Sequence, residues 1–328
     1  MTARRAFVRA TLGTLVALRG IAGAQRPPVK VVGFLSAASA EGYGHLAAGF
    51  REGLKDAGYI EGQNVAVEYR WAAGAIEGLP AMAAELVQRK VAAIAVGGGS
   101  EARRAAKRAT TTIPIVFTTG GDPVKEGLVA SLSHPGGNVT GVTFLNNFME
   151  AKRLGLLHEA IPEAASIGVL IDPGIPSAET QSRDARDAAR ALGAQIHLLS
   201  AGSERAIDEA FVALAKLRVR ALLVAASPLF NRQRRQLVNL AARYAIPAMY
   251  EAREYVEAGG LMSYGASPAD GYRQAGVYVG KILDGANPAS LPVLQSDRYE
   301  LMVNLRTAST LGVKIPQAVL MRADEVLR

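Results

Sequence analysis

From residue 29 onward the apolar positions fall into short runs separated by longer amphipathic stretches. "VKVVGFLS" (29–36) is a continuous apolar run of strand length, and "GHLAAGFREGLKDAG" (44–58) spaces its apolar residues for one helical face and closes on Gly58. "NVAVEYRW" (64–71) alternates as a strand does and "LPAMAAELVQRK" (79–90) reads as a helix. "VAAIAVGG" (91–98), "SEARRAAKRA" (100–109) and "IPIVFTT" (113–119) continue the rhythm. Strands that alternate with helices in this way predict right-handed βαβ units around a parallel sheet.

After "NVTGVTFL" (138–145) the rhythm restarts. A helix in "FMEAKRLGLLHEAIP", a strand over 166–172 and a helix ending at Gly193 lead to the strand "AQIHLLS". A helix over 203–217, a strand over 219–227, a helix over 229–244 and a strand over 246–251 follow. The tail adds the strand "GGLMSYG", a helix over 269–284, a proline-punctuated crossing and a last strand in "RYELMVNL". An element placed so late is suited to cross back between two lobes. A loose repeat supports two like halves. "VAAIAVGGGS…RR…IPIVFTTGGD" and "VRALLVAASP…RR…IPAMYEARE" share an element order, an Ile-Pro lead-in to the last strand and an acidic loop behind it. The expected fold class is therefore α/β, with two Rossmann-like, doubly wound parallel-sheet lobes joined near Asn146-Asn147.

Composition narrows the class. With 49% hydrophobic and 20% charged residues the chain reads as a soluble globular protein, and no stretch is both long and apolar enough for a membrane-spanning helix. Residues 1–24 differ from the rest: "MTARRAFVRA" is basic, "TLGTLVAL" is apolar and "AGA" precedes Gln25, as in a cleaved export signal. Arg4-Arg5 with Phe7 hints at twin-arginine export, while Arg19 interrupts the apolar region and leaves the Sec and twin-arginine routes open. Four of the arginines behind the formal charge of +8 lie in this leader with no acid beside them, so the remainder carries +4. Its Lys and Arg are scattered along helices, which fits a solvated surface better than a nucleic-acid footprint. The chain has no cysteine, so no disulfide supports the cores.

In open parallel sheets ligands bind beyond the carboxyl ends of strands. That rule selects Ser36 and Ser39 after the first strand, Gly97, Gly98, Gly99 and Ser100 after the third, and Thr118, Thr119, Gly120, Gly121 and Asp122 after the fourth. In the second half it selects Asp172, Ser227, Tyr250 and Glu251, with Tyr264 following. The glycines before Ser100 form either an anion site at a helix start or a tight turn with Ser100 as N-cap. Asp122-Pro123 has the chemistry of a capped helix start, and Asp122 either caps that helix or accepts from a ligand amine. Thr118, Thr119 and the Gly120 and Gly121 amides are candidates for holding a small carboxylate. Tyr43, Phe34, Phe117, Phe230, Tyr250 and Tyr264 are candidates for pocket walls. His134, Pro135, Gly136 and Gly137 read as a turn, and Trp71 as packing.

Catalytic patterns are missing. The glycines carry neither the dinucleotide nor the Walker spacing. The four histidines lie in unrelated elements without metal-ligand spacing, and no G-x-S-x-G elbow exists. No cofactor, metal or nucleic acid is expected. A two-lobed Rossmann-like enzyme acting on a sugar or nucleotide is the alternative. A LacI-like regulator would need a helix-turn-helix where the leader stands.

"IPIVFTTGGDPVKEGLVASLSHPGGNVTGV", "REYVEAGGLMSYG", "YRQAGVYVGKILDGANPASLPV" and "YELMVNLRTASTLGVKIPQAVLMRADEVL" resemble the ABC transporter substrate-binding family that includes tryptophan- and tyrosine-binding lipoproteins. The resemblance runs in order over residues 31–327. It implies a type I periplasmic binding protein with a three-crossing hinge and no enzymatic activity, a small-molecule solute as ligand, an inner-membrane ABC permease as partner, and a monomer or weak dimer. It also implies a first lobe of 29–145 plus about 266–287 and a second of 146–265 plus about 288–328. In such proteins one lobe holds a carboxylate and the other an amine or apolar group. That assigns Ser100, Thr118 and Thr119 to the carboxylate, and Asp172 or Glu251 to an amine. Members that take amino acids commonly carry Thr-Pro after the third strand and Asn-Pro after the sixth, where this chain has Gly98-Gly99-Ser100 and Asp172-Pro173. The leader also lacks a lipobox cysteine, which implies a protein free in the periplasm after cleavage near Ala24.

Overall fold

The apolar runs become strands of two separate sheets. The computed structural model describes residues 29–296 and 299–328, so the expected leader lies outside the described residues. In the first half β1 (Lys30–Ser36), β2 (Val65–Trp71), β3 (Ala93–Gly97), β4 (Ile115–Thr119) and β5 (Val139–Thr143) alternate with α1 (Ala40–Asp56), α2 (Leu79–Gln88) and α3 (Ser100–Ala109). In the second half α4 (Glu150–Ala160), β6 (Ser166–Ile171), α5 (Ala178–Leu192), β7 (Gln195–Ser200), α6 (Glu204–Lys216) and β8 (Ala221–Val224) are followed by α7 (Pro228–Arg232), α8 (Arg234–Arg243), β9 (Ala248–Tyr250), α9 (Arg253–Glu257) and β10 (Met262–Gly265). The tail supplies α10 (Pro268–Leu283), β11 (Leu294–Gln295), β12 (Glu300–Asn304), α11 (Leu305–Thr310), α12 (Gln317–Leu320) and β13 (Glu325–Leu327).

The first sheet has the order β2-β1-β3-β4-β5-β11 and the second β7-β6-β8-β9-β10-β12-β13. The first five strands of each thus follow one doubly wound order, 2-1-3-4-5. All pairs are parallel except β10 with β12. The central strands β3 and β4 are buried along their whole length and β2 at the edge is half-buried, as a sheet covered by helices on both faces requires. The repeated Ile-Pro has one role in both halves. Proline has no N–H to give to the ladder, but its carbonyl accepts from the neighbouring third strand: Pro114 from Ile94 at 2.8 Å and Pro247 from Leu222 at 2.9 Å.

The chain leaves the first sheet after Thr143, enters the second half at α4, and returns after β10 so that α10 packs on α1. That packing is backbone-close, since a Cβ on Gly53 would lie 1.8 Å from the Arg273 carbonyl. The return is longer than the boundary near residue 287. Tyr278 donates to the Pro292 carbonyl and Thr140 to that of Leu291, both at 2.7 Å, and β11 pairs with β5. The chain therefore stays with the first sheet through Gln295 and rejoins the second at β12.

Two local expectations are corrected. Asp122-Pro123 opens no regular helix: after one turn, closed by Glu126 N–H on the Asp122 carbonyl, Gly127 takes a left-handed φ of +68°. The helix expected over 229–244 is divided at Gln233 into α7 and α8. Among the described residues no helix is long and apolar enough to cross a membrane.

Candidate functional site

A cleft lies between the carboxyl ends of the two sheets. It is lined from one side by Gly98, Gly99, Ser100, Thr118 and Thr119, and from the other by Ser227, Pro228, Asn231 and Glu251. Tyr43 of α1 and Pro268 and Tyr272 of α10 close its flank. The lobes touch around it. Arg234 Nη1 donates to the Gly42 carbonyl at 3.3 Å and His45 lies 3.9 Å from Glu254, while in the first crossing Asn147 Nδ2 donates to Ser177 Oγ at 2.8 Å.

The first-lobe wall is built by glycine. Gly98 takes φ +76°, and a Cβ there would lie 2.4 Å from Ser36 Oγ. The helix α3 begins at Ser100 with Gly99 in the cap position and no side-chain cap. Ser100 is therefore not the N-cap, which corrects that alternative. Its hydroxyl donates to Glu101 Oε1 at 2.9 Å. This uncapped helix start lies at the cleft wall, and the positive end of a helix dipole favours an anion. Thr118 Oγ1 and Tyr272 OH lie side by side over Gly97, whose Cβ would come within 2.5 and 2.1 Å of them. Both hydroxyls are buried without a hydrogen bond of acceptable geometry to a described residue. Buried polar atoms are normally bonded, and these two have only each other and, for Tyr272, the Gly98 backbone, beside an uncapped helix start. Behind them Arg103 donates from Nε and Nη2 to Glu126 Oε2 (3.2 and 2.8 Å) and from Nη1 to the Thr118 carbonyl at 3.2 Å. Thr119 lines the cleft, but its hydroxyl is spent: it donates to Glu126 Oε1 at 3.2 Å and accepts from Gly121 N–H at 3.0 Å.

The second-lobe wall presents an acid. Glu251 is 5% exposed and Oε1 accepts from Asn231 Nδ2 at 2.8 Å. Burial pushes its carboxyl up to about 7, Arg153 pulls it back, and Glu150 and Glu254 add to the rise. Asp172, the other acid considered for an amine, sits behind Ser227. Its Oδ2 accepts the Ser227 hydroxyl at 2.5 Å and its Oδ1 the Gly174 N–H at 2.9 Å. Ser227 Oγ in turn accepts from Leu229 and Phe230 N–H, so Asp172 braces the α7 cap.

Gly99, Ser100, Thr118, Thr119, Ser227 and Glu251 thus share the cleft, and six expected residues, Asp172 and five others, do not line it. Ser36 accepts from Ala38 N–H at 3.1 Å and shapes the turn after β1. Ser39 caps α1 by accepting from Gly42 N–H. The Asp122 carboxylate holds the Val124 and Lys125 amides. Tyr250 is core, stacked on Tyr255 at 4.6 Å, and Tyr264 stacks on Tyr299 at 6.1 Å. Arg103, Asn147, Asn231 and Tyr272 were missed. Arg103 follows Ser100 by one helical turn, a spacing that puts both on one face. Tyr272 arrives through the return of α10, for which no local pattern exists. Among the described residues no group of three or more His, Asp or Glu is placed to hold a metal.

A family model described as ABC transporter substrate binding protein matches residues 29–327. A Clostridioides difficile relative named tyrosine-binding protein is 26% identical over 266 residues, covering 81% of this chain and 76% of its own. A conserved domain protein from Vibrio cholerae superposes with a TM-score of 0.83 at 28% identity, over 91% of this chain and 99% of that one. An ABC domain from Streptococcus pneumoniae, solved in complex with L-Trp, gives a TM-score of 0.82 at 24% identity over the same shares, which speaks for the fold.

Proposed function

The chain belongs to the ABC transporter substrate binding protein family, and we propose that its cleft captures a small solute carrying both a carboxylate and an amine. The chain is a solute-binding protein and not an enzyme, as its family is. The observation that carries the ligand reading is the asymmetry of the two walls. The first lobe offers the uncapped α3 amides with the weakly bonded Thr118 and Tyr272 hydroxyls, and the second offers the buried acid Glu251. A carboxylate against the first wall and an ammonium against Glu251 would bridge the lobes and favour the closed form. Tyr43, Phe144, Pro228 and Pro268 leave an apolar space between them for an aromatic or aliphatic body.

Tryptophan and tyrosine, the ligands in the relatives' names, are the first probes. Removing the amine (indole-3-propionate) or the carboxylate (tryptamine) from tryptophan should each abolish the rise in melting temperature that a binder produces. Equal shifts for tryptophan and both analogues would sink the two-anchor reading. With residues 1–24 as an export leader, the mature chain would work in the periplasm and hand its solute to an inner-membrane ABC permease. A periplasmic extract probed for a chain starting near Gln25 tests that placement.

A further inference from the structure

Arg153 is the largest fully buried side chain among the described residues, it pairs with an equally buried Glu150, and neither lines the cleft. A buried charge is tolerated only where its bonds are supplied, so the destinations of those bonds are informative. Arg153 Nη1 donates to the Asn146 carbonyl at 2.8 Å, in the first crossing between lobes. Nε donates to the Tyr264 carbonyl at 2.7 Å, at the end of β10 just before the second crossing. Asn146 then staples the two crossings: its Oδ1 accepts the Ala266 N–H at 2.9 Å and its Nδ2 donates to the Ala266 carbonyl at 3.1 Å. The third crossing joins through Tyr299, whose ring stacks on Tyr264 and whose hydroxyl donates to the Phe144 carbonyl at 3.3 Å.

Two neighbours give this cluster a direction. Leu145, immediately before Asn146, is left-handed at φ +49°, a conformation that costs a non-glycine residue energy and that rotation can relieve. Gly265, immediately before Ala266, packs on the ligand wall. A Cβ there would lie 1.9 Å from the Glu251 carbonyl and 3.1 Å from Asn146 Oδ1.

We propose that Arg153 is a positioning residue for ligand capture: it clamps the first two crossings to the second lobe as one piece, seats that piece against the Glu251 backbone, and leaves Leu145 as the pivot. The link to Glu251 rests on the two-anchor reading above, whereas the clamp and pivot stand without it. Arg153 Nε and Nη1 are bonded to Glu150 Oε1 and to the crossings, while Arg153 Nη2 and Glu150 Oε2 are buried without a partner among the described residues, so the clamp travels with the second lobe when the cleft opens.

The absence of cysteine allows a clean test. Spin labels on Glu52→Cys in α1 and Glu209→Cys in α6 report the interlobe distance of the full chain by pulsed electron resonance, with no ligand added. The double variant Glu150→Leu with Arg153→Met removes the clamp without stranding a buried charge, and should broaden the distance distribution about twofold. Arg153→Lys, which keeps the charge but not the planar fork, should restore part of the sharpness. Leu145→Gly, with the left-handed penalty lifted, should change the ratio of short to long distances about fivefold. A merely structural Arg153 would lower the melting temperature and leave the distances unmoved. Superimposable distributions for the parent and the double variant would overturn the proposal. Should the double variant fail to fold, Asn146→Ala cuts the staple between crossings and is read by the same two outcomes. Failure of the ligand reading would appear separately, as equal binding of tryptophan and its amine-free analogue.

Discussion

The two loops that follow the third strand of each lobe occupy equivalent places and are finished differently. After β8, Ser227 fills the N-cap, accepts from the Leu229 and Phe230 amides, and donates to Asp172, while Pro228 follows at N1. After β3, glycine fills the N-cap, Ser100 lies inside the helix, and no side chain reaches the first-turn amides. The same position in one fold is thus closed in one lobe and open in the other. A helix start attracts an anion through amides that nothing else has taken. Only the first lobe keeps that capacity, and the second contributes Glu251 instead.

The largest expected effect comes from removing the acid side of this asymmetry. Glu251 has a folded value of about 7 against an ordinary 4.5. Below 4.5 it is neutral folded or unfolded and costs nothing. Between 4.5 and 7 the unfolded chain releases the proton and the folded chain keeps it, so stability falls as pH rises, by on the order of 3 kcal/mol once above 7. Glu251→Gln should remove that component, so urea unfolding at pH 5 and pH 8 should show the variant gaining on the parent at the higher pH. An amine-bearing solute needs the ionised form, so its affinity for the parent should rise from pH 5 to 8 while that of the variant stays flat. A parent and variant with parallel pH profiles would remove Glu251 from the role of anchor.

A smaller effect is expected from opening the closed loop. Ser227→Ala deletes an N-cap and leaves Asp172 Oδ2 buried without its donor. The two losses together should cost about 2 kcal/mol in urea unfolding. A change below about 0.5 kcal/mol, the range of an ordinary surface substitution, would mean the cap is not holding this loop.

The sequence displays this architecture better than it displays the site. Runs such as those of β3 and β4 are apolar on both faces, so burial on both sides of a parallel sheet can be read directly. The element β11 has two residues and no pattern, and only its pairing with β5 reveals it. Asp122-Pro123 carries the local chemistry of a helix start, but left-handed Gly127 ends the turn and Glu126 is taken by Arg103. Ser100, Thr118 and Glu251 were accessible because strand ends are predictable ligand positions. Asp172 and Ser227 sit at equally good strand ends, yet they bond to each other. Which strand-end groups are spent is a matter of tertiary partners, and so are the tyrosines: Tyr250 points into the core while Tyr272 reaches the cleft from a helix that crosses back.

The finest distinction concerns the open loop itself. Thr118 Oγ1 has no partner of good geometry among the described residues apart from its contact with Tyr272 OH, so Thr118→Ala removes a buried hydroxyl that is weakly bonded at most. Such a deletion carries little penalty and should leave stability within about 0.5 kcal/mol. Ser100→Ala loses one bond to Glu101 and no cap, and should be as mild. If the first wall holds a carboxylate, Thr118→Ala should nevertheless weaken the bound solute about tenfold, the worth of one hydrogen bond to a charged group. Calorimetry beside urea unfolding separates the two readouts. In the first lobe affinity falls while stability holds, and Ser227→Ala in the second should do the reverse in kind, with stability as the main loss. A Thr118→Ala chain that unfolds as easily as Ser227→Ala would mean that the hydroxyl supports the fold, and the contrast between the two loops would collapse.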